Sequence, residues 1–260
     1  MLDLSECGLN NLNENIFENL SQLETLYLNV NAFTSIPIAI HFLPNLKILM
    51  LGINDFRTLK KNSFESNVQL ERLSFVGCQK LQTIEDCAFC HLPNLKSARF
   101  YFNPILSYIH ENAFGAISDG NVPEIKEFNI EYCNISVLPE NLFDWKKVEK
   151  LQIGHNPFAC NCSMAWLFND LLSNNSIFEE KLGSSSIMFY NHKYNLGCLG
   201  TQKWSANRTD SKAITEMFAV CNTTSTSNHF FCIIIAFIGV ILAAFGIYAN
   251  RIILTEMSRM

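Results

Sequence analysis

The side chains able to do chemistry here are ten cysteines and six histidines in 260 residues, and their spacing limits what they can do. Two close sets stand out, Cys87-Ala88-Phe89-Cys90 with His91 beside it, and Cys160-Asn161-Cys162. Structural zinc is held by two short ligand knuckles brought together, whereas these pairs lie far apart in sequence and differ in spacing, so no metal is assigned. His41, His91, His110, His155, His192 and His229 fall in unrelated contexts. No G-x-S-x-G or P-loop is present, and no cysteine stands with a base. The chain is read as no enzyme, without catalytic residues and without a cofactor.

Its elements are set by a repeat. The apolar triplets Leu23/Leu26/Leu28, Leu46/Leu49/Leu51, Leu70/Leu73/Phe75, Leu95/Ala98/Phe100, Ile125/Phe128/Ile130 and Val148/Leu151/Ile153 follow one template, and Leu2 with Leu4 make a partial copy before them. They start at residues 23, 46, 70, 95, 125 and 148, hence at spacings of 23, 24, 25, 30 and 23. That is the period of a solenoid with one insertion, over Gly115–Glu124, which is read as a surface loop. In L-x-x-L-x-L the last two apolar positions alternate, which predicts a short strand with one face inward. A single copy cannot bury that face, so stacking must supply the core.

Two columns accompany the strands. Three residues past the third apolar position stand Cys7, Asn31, Asn54, Cys78, Asn103, Cys133 and Asn156, read as buried side chains that hydrogen-bond the backbone where it leaves the strand. Phe17, Phe64, Phe89, Phe114 and Phe143 recur further on, with Ile40 in the second repeat, and predict a stacked aromatic spine. Cys87 and Cys90 fall on the convex side of the fourth repeat, where they are free, bridged to each other, or surface thiols.

These residues resemble the typical, phenylalanine-containing leucine-rich repeats of animal extracellular proteins, over residues 1–158. The resemblance implies an α/β fold, a parallel β-sheet horseshoe closed by a disulfide-bonded C-terminal cap. Asn156-Pro157-Phe158-Ala159-Cys160-Asn161-Cys162 followed by Trp166 is similar to the opening of that cap, which spans 159–221. In the group the first cysteine pairs with the third and the second with the fourth, which implies Cys160 with Cys198 and Cys162 with Cys221. Four cysteines taken alone allow three pairings. A short helix carrying Trp166, Leu167, Leu171 and Leu172 is expected to cover the last repeat.

Residues 230–249, FFCIIIAFIGVILAAFGIYA, carry neither charge nor proline. At about 1.5 Å per residue they reach about 30 Å, the thickness of bilayer hydrocarbon, and predict one transmembrane helix. A Ser/Thr stalk at 222–229 precedes it and a short tail at 250–260 follows, too short for a signalling domain. N-x-S/T sequons at Asn19, Asn134, Asn174, Asn207 and Asn222 agree with glycosylation in the secretory pathway, and a sixth, Asn161, lies between cap cysteines. Cysteines and sequons place residues 1–229 outside the cell, as a single-pass type I protein of the plasma membrane. Because Met1 starts inside a repeat with neither signal peptide nor N-terminal cap, a fragment or truncated chain is expected, with a cytosolic tail-anchored protein as the alternative.

The outward strand positions supply the candidate binding surface, on the concave face: Tyr27, Met50, Arg72, Arg99, Tyr101, Glu127 and Glu131. Tyr27, Ile48, Met50 and Val76 form an apolar zone, Arg72, Arg99 and Tyr101 a basic and aromatic middle, and Glu127 with Glu131 an acidic end. Aromatic, Met and Arg side chains are those that protein interfaces favour. A net charge of −5 with 17% charged residues excludes nucleic acid as the partner. The expected partner is a protein ligand or co-receptor, with a homodimer also open to the chain. The function read from this is single-pass cell-surface recognition or adhesion. The alternative is a membrane-proximal piece of a Toll-like receptor, a group similar in repeats, cap and single span.

Overall fold

Each repeat opens with a strand of two or three residues because its second apolar residue turns inward while its neighbours turn out. In the computed structural model these strands are β1 (Leu2–Asp3), β2 (Thr25–Tyr27), β3 (Ile48–Met50), β5 (Arg72–Ser74), β7 (Ser97–Arg99), β9 (Glu127–Asn129) and β10 (Lys150–Gln152). They form one parallel seven-stranded sheet in that order. The register is unbroken: Leu2, Leu26, Leu49, Leu73, Ala98, Phe128 and Leu151 lie side by side. The predicted parallel horseshoe solenoid is therefore the fold. The structure describes residues 1–159, 162–172, 178, 188–191 and 196–200.

On the opposite side three repeats add two-residue strands, β4 (Thr58–Leu59), β6 (Thr83–Ile84) and β8 (Tyr108–Ile109), which form a second parallel sheet. Between the sheets lies the core. Phe17, Phe64, Phe89, Phe114 and Phe143 are all buried, and the spine runs from Phe64 to Phe89 at 5.9 Å, to Phe114 at 4.9 Å and to Phe143 at 5.4 Å between ring centroids. A second aromatic row, Phe56, Phe75 and Phe100, packs against it, with Phe75 stacked on Phe100 at 5.8 Å.

The asparagine column works as one side chain per turn. Asn54 Nδ2 donates to the carbonyls of Leu28, Leu51 and Gly52, and its Oδ1 accepts from the Phe33 N–H. Asn156 repeats this with Ile130, Ile153 and Gly154, and with the Ile135 N–H. Each thus ties its own repeat to the one before, satisfying backbone groups that burial would otherwise strand. Cys78 and Cys133 take the same place with weaker means, their Sγ atoms donating to Leu51 O at 3.5 Å and Phe100 O at 3.2 Å. Cys7 departs from the reading as a buried ladder residue. It is exposed, in the first of the described repeats.

One residue before each column position the chain turns left-handed. Glu6, Val30, Ile53, Phe102, Tyr132 and His155 have φ between 53° and 59°, and Gly77 fills the same place at 72°. The turn lets their N–H groups reach the next repeat: Ile53 donates to Val76 O at 2.8 Å and Phe102 to Glu131 O at 2.9 Å. The ladder is thereby extended past the strand end at the cost of an unfavourable backbone for side chains such as Val and Ile.

The expected helix is α1 (Ala165–Leu172). Trp166 stacks on Trp145 at 5.2 Å and donates from Nε1 to the Leu138 carbonyl at 3.1 Å. Leu167 and Met164 are buried with it, as are Val148, Leu151 and Ile153 of the last repeat. Beyond the repeats β11 (Pro157–Ala159) pairs in parallel with β12 (Met188–Asn191), which pairs antiparallel with β13 (Leu196–Gly200). Cys160 and Cys221, and the side chains of Cys162 and Cys198, lie outside the described residues, as do the predicted span 230–249 and the sequons at Asn174, Asn207 and Asn222. Among the described residues no helix is long and apolar enough to cross a membrane.

Candidate functional site

A parallel ladder fixes which outward side chains meet. Tyr27 lies opposite Met50 on the next strand, and Met50 opposite Ser74 and then Arg99. In the row beside it stand Thr25, Ile48, Arg72, Ser97, Glu127 and Lys150. Tyr27, Ile48, Met50 and Val76 of the apolar zone are half-buried, so part of each apolar side chain reaches the surface. Arg72 is exposed at the border of that zone and, among the described residues, makes no ion pair. A long cation over apolar neighbours keeps its stem covered and its head available.

The other two zones do not separate as basic and acidic. Glu127 Oε2 accepts from Arg99 Nη2 at 2.7 Å and from Ser97 Oγ at 2.8 Å, and Oε1 lies 3.1 Å from Lys150 Nζ. The side chain of Glu127 is 17% exposed. Burial works against its ionised form, but the hydrogen bonds from Arg99, Ser97 and Lys150, together with the Arg99 charge, outweigh it and hold the carboxyl at about 2. Sequence reading placed Arg99 and Glu127 in zones of opposite sign because it could not see that adjacent strands would set them against each other. Ser74, Ser97 and Asn129 are likewise buried rather than presented, because larger neighbours on the same face close over them.

Around this pair the face sinks into a groove of about 280 Å³, lined by Arg99, Tyr101, Glu127, Glu131, Tyr132 and Gln152 among others. Gln152 Nε2 donates to Glu131 Oε2 at 3.4 Å and its Oε1 accepts from Asn129 Nδ2 at 3.0 Å. Along the rim runs a feature the sequence reading missed. Phe102 stacks on Tyr132 at 4.7 Å and Tyr132 on His155 at 4.1 Å, with Tyr101 leaning on Phe102 at 5.4 Å. All three stacked residues are exposed and occupy the left-handed position before the ladder. The signal was available, since three consecutive repeats carry a ring directly before Asn103, Cys133 and Asn156.

Residues 1–56 match the leucine rich repeat family model. Among solved structures, a leucine-rich repeat protein of Leptospira interrogans, LIC12759, is 24% identical with a TM-score of 0.47, over 60% of this chain and 37% of that one. TLR13, in a structure of the TLR13–ssRNA13 complex, is 23% identical with a TM-score of 0.44, over 61% of this chain and 25% of that one. The leucine-rich repeat domain of APL1B is 16% identical with a TM-score of 0.34, over 62% and 64%. A comparison with curated protein sequences gives no match.

The remaining candidates are placed as follows. Asn19 and Asn134 are exposed. Cys87 and Cys90 are bonded to each other, and His91 Nε2 meets Asn62 Oδ1 at 3.2 Å. Among the described residues no group of three or more His, Cys, Asp or Glu is placed to hold a metal ion. Apolar residues, a cation, a groove and an aromatic rim lie along the same side of the repeats, a composition consistent with a recognition scaffold.

Proposed function

We propose that the chain is a cell-surface recognition protein that binds a protein ligand across the open face of the seven-stranded sheet. The observation that carries this reading is Arg72, exposed and without an ion pair among the described residues, at the edge of the patch of Tyr27, Ile48, Met50 and Val76. Tyr and Arg beside apolar surface are the side chains in which binding energy concentrates. The groove and the rim of Phe102, Tyr132 and His155 extend the contact toward the last repeats.

Attachment is by one membrane span at 230–249, with the repeats outside the cell as in a type I protein. The apolar run supports this, and so do the exposed sequons at Asn19 and Asn134. The cap bridges are Cys160 with Cys198 and Cys162 with Cys221, supported by the similarity of the Asn156–Cys162 motif to known caps. Partners are the protein ligand or a co-receptor, and a second copy of the chain is a further candidate. Two experiments test the reading. Peptide N-glycosidase should lower the apparent mass of the protein taken from animal cells, and a mass indifferent to the enzyme would count against an exterior location. Replacing Tyr27, Met50 and Arg72 together by alanine should abolish ligand binding while the circular dichroism spectrum stays unchanged.

A further inference from the structure

Ligand recognition leaves one motif unused, Cys87-Ala88-Phe89-Cys90 on the side away from the sheet face. It stands where other repeats have Asn15-Ile16-Phe17-Glu18, Asn62-Ser63-Phe64-Glu65 and Asn112-Ala113-Phe114-Gly115. In those three repeats a backbone hydrogen bond closes the turn: Glu18 N–H to Asn15 O at 3.1 Å, Glu65 to Asn62 at 3.4 Å and Gly115 to Asn112 at 3.0 Å. At 87–90 the two sulfurs are joined instead, with the Cα atoms 4.8 Å apart. The bridge therefore closes a turn that its neighbours close without one.

The turn is also held from both sides by backbone alone. Cys87 N–H donates to Asn112 O at 3.1 Å, Phe89 N–H to Ala113 O at 2.8 Å, and Cys87 O accepts from Asn62 N–H at 3.4 Å. Phe89 is locked into the spine between Phe64 and Phe114. A bridge across so few residues removes little entropy from the unfolded chain, so opening it takes little from the fold.

Both cysteines are half-buried rather than sealed. Gly115 stands near the Cys90 sulfur, where a Cβ would lie 3.9 Å from Sγ and 3.7 Å from Val122 Cγ2.

We infer that Cys87–Cys90 is a thiol–disulfide exchange site, open in the folded protein to small thiols of the glutathione class. A thiolate attacks Cys90 Sγ; the S–S bond breaks, and its electron pair leaves on Cys87 Sγ, which takes a proton from water. A second thiolate attacks the outer sulfur of the mixed disulfide and releases Cys90 as the second thiol. Two small thiols are oxidised to one disulfide and the protein bridge is reduced to two thiols. The sheet face takes no part in this.

The test is differential alkylation of the full chain equilibrated with graded ratios of reduced to oxidised glutathione, read by mass spectrometry on the peptide holding Cys87 and Cys90. The half-point of opening should fall within about tenfold of that of the same bridge in the excised peptide, because the fold does not protect it. The circular dichroism spectrum should persist through the transition. An opening that is more than about a hundredfold harder in the folded chain, or that waits for denaturant, would overturn the inference. So would loss of the spectrum on opening, or two thiols that never bridge under oxidising glutathione. As a second reading of the same point, the double substitution Cys87→Asn with Cys90→Glu restores the turn of the third repeat and should leave the melting temperature unchanged. A large drop would make the bridge structural and overturn the proposal.

Discussion

Arg99 and Glu127 meet on neighbouring strands with Nη2 and Oε2 2.7 Å apart, and this contact takes one charge of each sign out of the middle of the sheet face. Lys150 and Ser97 complete the shell around the carboxylate. What remains for a ligand is Arg72, without an ion pair among the described residues, and the apolar and aromatic surface on either side.

The pair gives a pH prediction with a definite sign. The Glu127 carboxyl is held at about 2 against an ordinary value of 4.5. A depressed folded value contributes stability that is fully present above 4.5 and is lost as the pH falls toward 2. Glu127→Gln should therefore lower stability by about 1–2 kcal/mol at neutral pH, and the gap to the parent should close below pH 4.5. Urea unfolding of both proteins at stepped pH measures it, and a gap of constant size in acid would contradict the assignment.

The asparagine column predicts an unequal cost for equivalent positions. Asn54→Ala removes a side chain that serves four backbone groups in a buried site, and should cost about 2–4 kcal/mol. Cys78→Ala removes one long S–H donor and should cost about 1 kcal/mol. Denaturant midpoints compare them directly, and equal losses would show that the column acts by volume rather than by hydrogen bonding.

Much of this was legible beforehand, for a reason that particular residues make plain. Leu26, Leu49 and Leu73 fall into register because one repeat is a translation of the last, so the period predicts both the strand and its partner. The helix with Trp166 followed from the need to cover Val148, Leu151 and Ile153. The Arg99–Glu127 pair and the burial of Ser97 were not legible, because they depend on which long side chains bend across to a neighbouring strand. The rings of Phe102, Tyr132 and His155 recur visibly in the sequence, but their stacking is not visible there. They precede the ladder residue in an ordinary-looking loop, and only the left-handed turn brings them into a stack.

That turn predicts a stabilising substitution. Ile53 is 55% exposed and holds φ at 53°, a conformation that β-branched residues adopt at a cost. Asn tolerates it, so Ile53→Asn should raise stability by about 0.5–1 kcal/mol. A thermal melt decides, and a lower midpoint would mean that the lost apolar contact over Gly77 outweighs the relief of strain.

Thiol reactivity should divide the free cysteines of the repeats. Burial pushes Cys78 up to about 11 and Cys133 up to about 12, whereas Cys7 is exposed. At mildly alkaline pH iodoacetamide should modify Cys7 in the folded protein and reach Cys78 and Cys133 after unfolding. Mass spectrometry of the three peptides reads the order, and early modification of Cys133 would contradict its place in the column.

The central claim is that the sheet face binds a protein, and site-specific photo-crosslinking on living animal cells tests it most directly. A photoreactive residue is placed in the full chain either at Met50, on the face, or at Lys60, exposed behind it. The account predicts a discrete crosslinked protein from Met50 and none from Lys60, with the Met50 product lost when Arg72→Glu is added. Equal capture from both positions, or a Met50 product indifferent to Arg72→Glu, would contradict it.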